Sequence, residues 1–347
     1  MISAYFMQPN TIFSLKQEFL RKRTIFSFAL SLLLIAFFFT HTTISDLVRD
    51  VAQIDPFFLL LAFIAHYSAY LFRGNRWKRM LQITGFSGKT IDLAKIIFLF
   101  QSVDCVLPAK VGDVYGAHLM KLNFSLSRSF ALGSIFLWRM IDLIVVTGLA
   151  TVTAFILFES QIPPELIGAM KVVGPCLFVF LAFMGLLFYY HKWWSAFFRS
   201  ARLKSLIDSF REGLRLNRRM IPSLFISTTI IWGLEATRLY FVCKSMAVEI
   251  NAIAVVFITL AAVLFTAVPL TPSGLGAVEL GMLKLLAFVG ITSPVAYPLI
   301  IWDRFIAHWS QILLGVLFVV FSKPIKLKIW QSEESQFSPA EKGFVHL

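Results

Sequence analysis

The chain has 347 residues, of which 58% are hydrophobic and only 15% charged, with 37 phenylalanines. A soluble domain carries about a quarter charged residues, so a water-soluble enzyme is excluded as the main body and the core is expected in lipid. The net charge of +13 resembles a nucleic-acid signal until it is mapped onto loops between apolar runs, and nucleic acid is therefore not an expected partner.

Residues 1–23 form a basic N-terminus with Lys16, Arg21, Lys22 and Arg23, followed by an apolar run over 24–40. The long basic lead and the lack of an A-x-A site predict an uncleaved anchor rather than a signal peptide. A second span is expected over 54–72, ending in the basic cluster Arg73, Arg76, Lys78, Arg79 and Lys89. The apolar run 91–107 carries Gln101 and Asp104 and stops at Pro108, and a half-polar stretch with Gly112, Asp113 and Gly116 reaches Asn123. Longer spans follow over 130–158 and 166–190. The segment 191–220 mixes Trp193, Trp194, Phe197, Leu206 and Phe210 with eight Lys and Arg residues counted from Lys192 to Arg219. It reads as an amphipathic helix on an anionic cytoplasmic leaflet. Runs over 221–242 and 252–270 come next, the latter ending before Pro272, Gly274, Gly276 and Glu279 and a short apolar piece to Val289. A last span is expected over 295–321, and 323–347 is a polar tail.

Basic residues crowd alternate loops, the pattern of the positive-inside rule. It puts both termini in the cytoplasm and the protein in the inner, cytoplasmic membrane. Two apolar runs broken by proline and glycine are read as ordinary kinks or as re-entrant helical hairpins whose tips meet inside protein. The expected fold is an all-α polytopic membrane protein with about six full spans plus two re-entrant hairpins. Residues 24–322 make a single membrane domain.

Landmarks recur in order in two halves, repeat A over about 54–158 and repeat B over about 221–321. Arg76 and Arg238 are each followed nine positions later by a small residue, Gly85 and Ala247. P-x-x-x-G occurs at Pro108–Gly112 and Pro272–Gly276, and a Trp–Arg neighbourhood closes each half at Trp138, Arg139 and at Trp302, Arg304. Arg76 to Pro108 is 32 positions and Arg238 to Pro272 is 34. The loop charges send the first unit inward and the second outward, so the repeats are expected to be inverted, as in alternating-access transporters.

Charges within spans are costly and are usually paired or functional. Arg139 and Asp142 share a helix face and are expected to pair, and Glu235 and Arg238 repeat the spacing. Arg304 and His308 are four apart with Asp303 alongside. Asp104, Lys110, Asp113 and Glu279 lie at or near the hairpin tips. Either these pairs hold the halves together or they line a polar cavity for a charged headgroup, where Arg suits phosphate through its planar fork. His118 and His308 are candidates for proton carriers or for structural roles. Cys105, Cys176 and Cys243 are scattered at no metal-binding spacing and are read as packing residues. No H-e-x-x-H, Walker or G-x-S-x-G pattern occurs, so neither catalysis nor a cofactor is expected.

R-G-N-R-W (73–77), P-A-K-V-G-D (108–113), W-R-M-I-D (138–142) and P-S-G-L-G-A-V-E (272–279) resemble signatures of the lysylphosphatidylglycerol synthase transmembrane, or flippase-like, family. The resemblance covers about 20–325. Trp138 stands where that family tends to have Glu, and Ser273 where it tends to have Gly. The resemblance implies lipid translocation or the handling of lipid-linked glycans. The namesake's aminoacyl-transferase half is not expected here, so lipid aminoacylation is not carried over. Three functions follow as expectations. The first is a flippase-like transporter of an anionic or zwitterionic lipid. The second is a non-transporting partner of a lipid or glycan synthase, acting through its basic face. The third is a membrane-embedded enzyme on a lipid phosphate.

Overall fold

A computed structural model of the chain describes residues 54–159, 162–168, 200–267 and 271–321, with isolated positions between 26 and 36 and between 171 and 186. Most of the expected spans 24–40 and 166–190, the stretch 191–199 and the two terminal segments lie outside the described residues. Among the described residues all regular structure is helical.

Helix α1 (Pro56–Leu81) starts where Asp55 accepts a hydrogen bond from the Phe57 amide at 2.8 Å and Pro56 occupies the first turn, and it ends on Lys78 and Arg79. Both ends suit the helix dipole and its orphan amides. The helix runs nine residues past the expected end at Phe72. Arg73 and Arg76 are therefore buried in its last turns, 8% and 1% exposed, rather than free in a loop. Helices α2 (Thr90–Val106) and α3 (Val111–Phe124) form a hairpin, and α4 (Arg128–Phe158) follows, capped by Ser127.

Helix α5 (Ala201–Gly213) is the described part of the basic amphipathic segment, and it is shorter than expected because 214–217 leaves the helix. It crosses the start of α4 through two glycines. A Cβ on Gly133 would sit 2.0 Å from the Phe210 carbonyl oxygen, and one on Gly213 would sit 2.1 Å from that of Phe130. Helix α6 (Ile221–Ser245) is preceded by a 3-10 turn. Helix α7 (Ala252–Leu264) and helix α8 (Ala277–Phe288) pack as a second hairpin, with 3-10 turns Phe265–Ala267 and Pro272–Gly274 between them. Helix α9 (Ser293–Arg304) passes through a π turn, Phe305–Trp309, into α10 (Ser310–Phe321), so 293–321 is one interrupted helix where an unbroken span was expected.

Three helical stretches, Pro56–Leu81, Arg128–Phe158 and Arg218–Ser245, are long and apolar enough to cross a membrane. At ~1.5 Å per residue each exceeds the ~30 Å hydrocarbon thickness. Their outward side chains include Phe57, Leu60, Ile64, Val152, Phe155 and Ile226, all exposed. Charges are buried while large apolar groups face out, as lipid solvation demands. Helices α1 and α6 are antiparallel. The Asp55 amide donates to the Ser245 carbonyl at 2.8 Å, and at the opposite ends Arg79 donates to Ser223. The apolar core divides accordingly. One cluster gathers Trp77, Phe100, Leu119 and Trp138 from the first half, and another gathers Leu239, Phe257, Leu286 and Ile300 from the second.

Candidate functional site

The buried charges occupy the seam between these two cores and the tips of the two hairpins. Each hairpin tip follows one backbone recipe. After Pro108 come Ala109 (φ 62°) and Lys110 (φ 54°), and after Pro272 come Ser273 (φ 48°) and Gly274 (φ 71°). Left-handed backbone costs a residue with a Cβ about 1–2 kcal/mol, so three of these four positions carry strain. The glycine four positions after each proline then donates its amide to a carboxylate. Gly112 N–H donates to Asp104 Oδ1 at 2.8 Å, and Gly276 N–H donates to Glu279 Oε2 at 2.6 Å. Gly112 has no room for a side chain, because a Cβ would lie 2.0 Å from the Phe100 carbonyl oxygen and 2.6 Å from Asp104 Oδ1.

An arginine from the next long helix closes each tip. Arg139 on α4 donates to Asp104 at 2.9 Å and holds Asp113 through Nε at 2.7 Å and a second, short bond. Arg304 at the end of α9 donates through Nε to Glu279 at 2.7 Å and reaches the Ser273 carbonyl at 3.4 Å. The tips touch each other, with Ser273 Oγ 3.8 Å from Cys105 Sγ. Cys105 and Cys243 are buried free thiols, while Cys176 lies outside the described residues.

The seam is braced by arginines of α1 and α6. Arg76 makes a two-pronged pair with Asp142 of α4, at 2.5 and 3.1 Å, and donates to Thr228 at 2.6 Å. Arg238 makes the corresponding two-pronged pair with Asp303 of α9, at 2.9 and 3.2 Å, and also holds Glu235. Glu235 further accepts from Arg73 at 2.6 Å and from His66 Nδ1 at 3.0 Å.

The expected partnership of Arg139 with Asp142 is not the one formed. Both face the bundle from one helix, but each finds a partner on another element that lies closer to its head group. The Glu235–Arg238 pair forms as expected. Arg304 bonds Glu279 and Asp303 bonds Arg238, so neither serves His308. That histidine sits in the π turn, 1% exposed, with both ring nitrogens unpartnered among the described residues. Pro272, Gly274 and Gly276 build the second tip without contributing a side-chain group.

Reasoning from sequence missed His66, Arg73 and Thr228. His66, Arg73 and Met80 recur at sevenfold spacing along α1, with Arg76 on the same side, and the signal was one helix face. It was obscured because Arg73 counted as a loop charge. In total six cations (Arg73, Arg76, Lys110, Arg139, Arg238, Arg304) face six carboxylates (Asp104, Asp113, Asp142, Glu235, Glu279, Asp303). With neutral histidines the network balances without a counterion, and breaking any buried pair by removing one partner costs about 3–5 kcal/mol.

Comparison with known proteins gives the family. The UPF0104 membrane protein MJ1078 of Methanocaldococcus jannaschii is 30% identical over 226 residues, 64% of this chain and 95% of its own length. A UPF0104 membrane protein of Methanothermobacter thermautotrophicus is 25% identical over 330 residues, 85% of this chain and 92% of its own length. The glycosyltransferase AglD of Haloferax volcanii is 26% identical over 123 residues, 35% of this chain and 20% of AglD. Residues 24–315, which contain all six cations and six carboxylates of the seam and tips, match the family described as the lysylphosphatidylglycerol synthase TM region. The chain belongs to that family of helical membrane proteins.

Proposed function

We propose that the protein translocates a lipid or lipid-linked intermediate with an anionic or zwitterionic headgroup, using the charged seam and the two hairpin tips. The observation that carries this reading is the meeting of the two tips at Ser273 and Cys105, each tip closed by an arginine on a carboxylate. Paired left-handed residues after Pro108 and Pro272 support an internal repeat, as do the Arg76–Asp142 and Arg238–Asp303 braces. So do left-handed Gly85 and Ala247, each nine residues beyond its arginine. Antiparallel α1 and α6 support its inversion. Helices α7 and α8, with 13 and 12 residues, come to ~20 Å or less against ~30 Å of hydrocarbon, which supports a re-entrant hairpin. Loops rich in Lys and Arg support a cytoplasmic location for the termini and α5.

In this reading the arginines offer a planar two-bond grip to a phosphate, and alternate loosening of the two tips exposes it to either leaflet. Proteoliposomes with fluorescent phospholipids test it. Wild type moves lipid between leaflets, and Arg139→Gln and Arg304→Gln do not. Normal movement by both variants refutes the central site. No movement by wild type across headgroups refutes phospholipid translocation and favours a partner role beside a lipid or glycan synthase.

A further inference from the structure

Among the differences between the two tips, one changes both charge and backbone preference. Two residues after the proline, hairpin α7–α8 has Gly274, the residue suited to a left-handed backbone, whereas hairpin α2–α3 has Lys110 in the same region, φ 54°. Retaining a long cationic side chain there is unfavourable for the fold, and such outliers collect at functional sites. Lys110 is half-buried and takes no ion-pair partner within contact distance among the described residues. Its electrostatic neighbours are Asp104, Asp113 and Arg139, and both carboxylates already bond Arg139. Arg139 is also the more open of the two tip arginines, its side chain 27% exposed against 10% for Arg304. One residue before Arg139 on α4, Trp138 Nε1 is a buried donor with no acceptor among the described residues, as is Arg76 Nε, and the Arg76 guanidinium lies 5.1 Å from the Trp138 ring.

An ammonium without a hydrogen-bonded partner, an accessible guanidinium and unpartnered donors are what a phosphate oxygen cluster needs. We infer that Lys110 and Arg139 form the entry site for the phosphate group of the transported headgroup. On binding, the phosphate takes over donors of Arg139 from Asp113, and Lys110 bridges the phosphate to the released carboxylate. The Glu279–Arg304 tip, with Gly274 in place of the lysine, is then the tighter counterpart, which engages the headgroup only after entry. This inference rests on the lipid-translocation reading and adds to it Lys110 as a phosphate-binding residue and an asymmetry between the tips.

The test measures equilibrium binding of radiolabelled dihexanoyl phosphatidylglycerol to the full chain in mild detergent, with inorganic phosphate as competitor. Lys110→Gly is the decisive variant, since glycine suits the backbone and the protein is expected to fold at least as stably as wild type. It should weaken binding about tenfold or more, the loss expected for one charge-assisted contact. Lys110→Arg should retain most binding, and exposed Lys89→Gln should leave it unchanged. Competition by phosphate at millimolar concentration identifies the phosphate as the recognised group, and its failure to compete identifies the intact lipid headgroup. Wild-type binding by Lys110→Gly overturns the inference. If Lys110→Gly moves lipid and binds probe normally while Arg139→Gln does not, the inference falls and lipid translocation stands. If wild type neither binds the probe nor moves lipid, both fall.

Discussion

Replacing Arg304 separates a structural ion pair from a working one. In Arg304→Ala, Glu279 loses its 2.7 Å partner at 7% exposure and keeps only the Gly276 amide, and the Ser273 carbonyl loses a donor. Leaving one buried partner uncompensated costs about 3–5 kcal/mol, which at ~2 °C per kcal/mol for a large chain lowers the melting temperature by roughly 6–10 °C. Arg304→Ala combined with Glu279→Gln removes the stranded charge, and the neutral amide occupies the same volume. The double variant should therefore recover most of that loss, a coupling energy of about 2–3 kcal/mol. The assay is thermal unfolding of the detergent-purified protein, followed by lipid movement in proteoliposomes. Recovered stability with movement still absent is the expected result, because the guanidinium is needed for the headgroup. Recovery of movement in the double variant refutes the reasoning, since the pair would then only hold the tip together. A double variant as unstable as Arg304→Ala refutes the stated origin of the cost.

Four other outcomes follow from the packing. In a chain lacking Cys176 and Cys243, Ser273→Cys should form a disulfide with Cys105 on mild oxidation, given the 3.8 Å Oγ–Sγ separation; mass spectrometry reads the bond, and lipid movement should stop until reductant is added. Gly112→Ala should destabilise by more than about 3 kcal/mol because its Cβ meets the Phe100 backbone. Gly148→Ala, with nothing within 4 Å, should be neutral or stabilising by up to about 1 kcal/mol in the same unfolding assay. Gly133→Leu should lift α5 from α4, seen as faster tryptic cleavage at Arg211 and Arg215.

The class of the protein, the starts of its described long helices and the breaks at Pro108 and Pro272 were legible in the sequence because each is local. An apolar run of sufficient length, a proline and a glycine act on their own neighbourhood whatever the rest of the chain does. The landmarks Arg76, Arg238, Arg139 and Arg304 were legible as a set because they keep their intervals. Their partners were not. Asp142 and Arg139 sit three apart, and that spacing alone suggests a pair, yet Asp142 is taken by Arg76, 66 positions away, and Arg139 by Asp104 and Asp113. The approach of α1 to α6 made His66 and Arg73 part of the seam, and the π turn isolated His308. In a low-dielectric interior a charge pairs with whichever opposite charge the assembled helices bring within about 3 Å, and only the tertiary structure decides which that is.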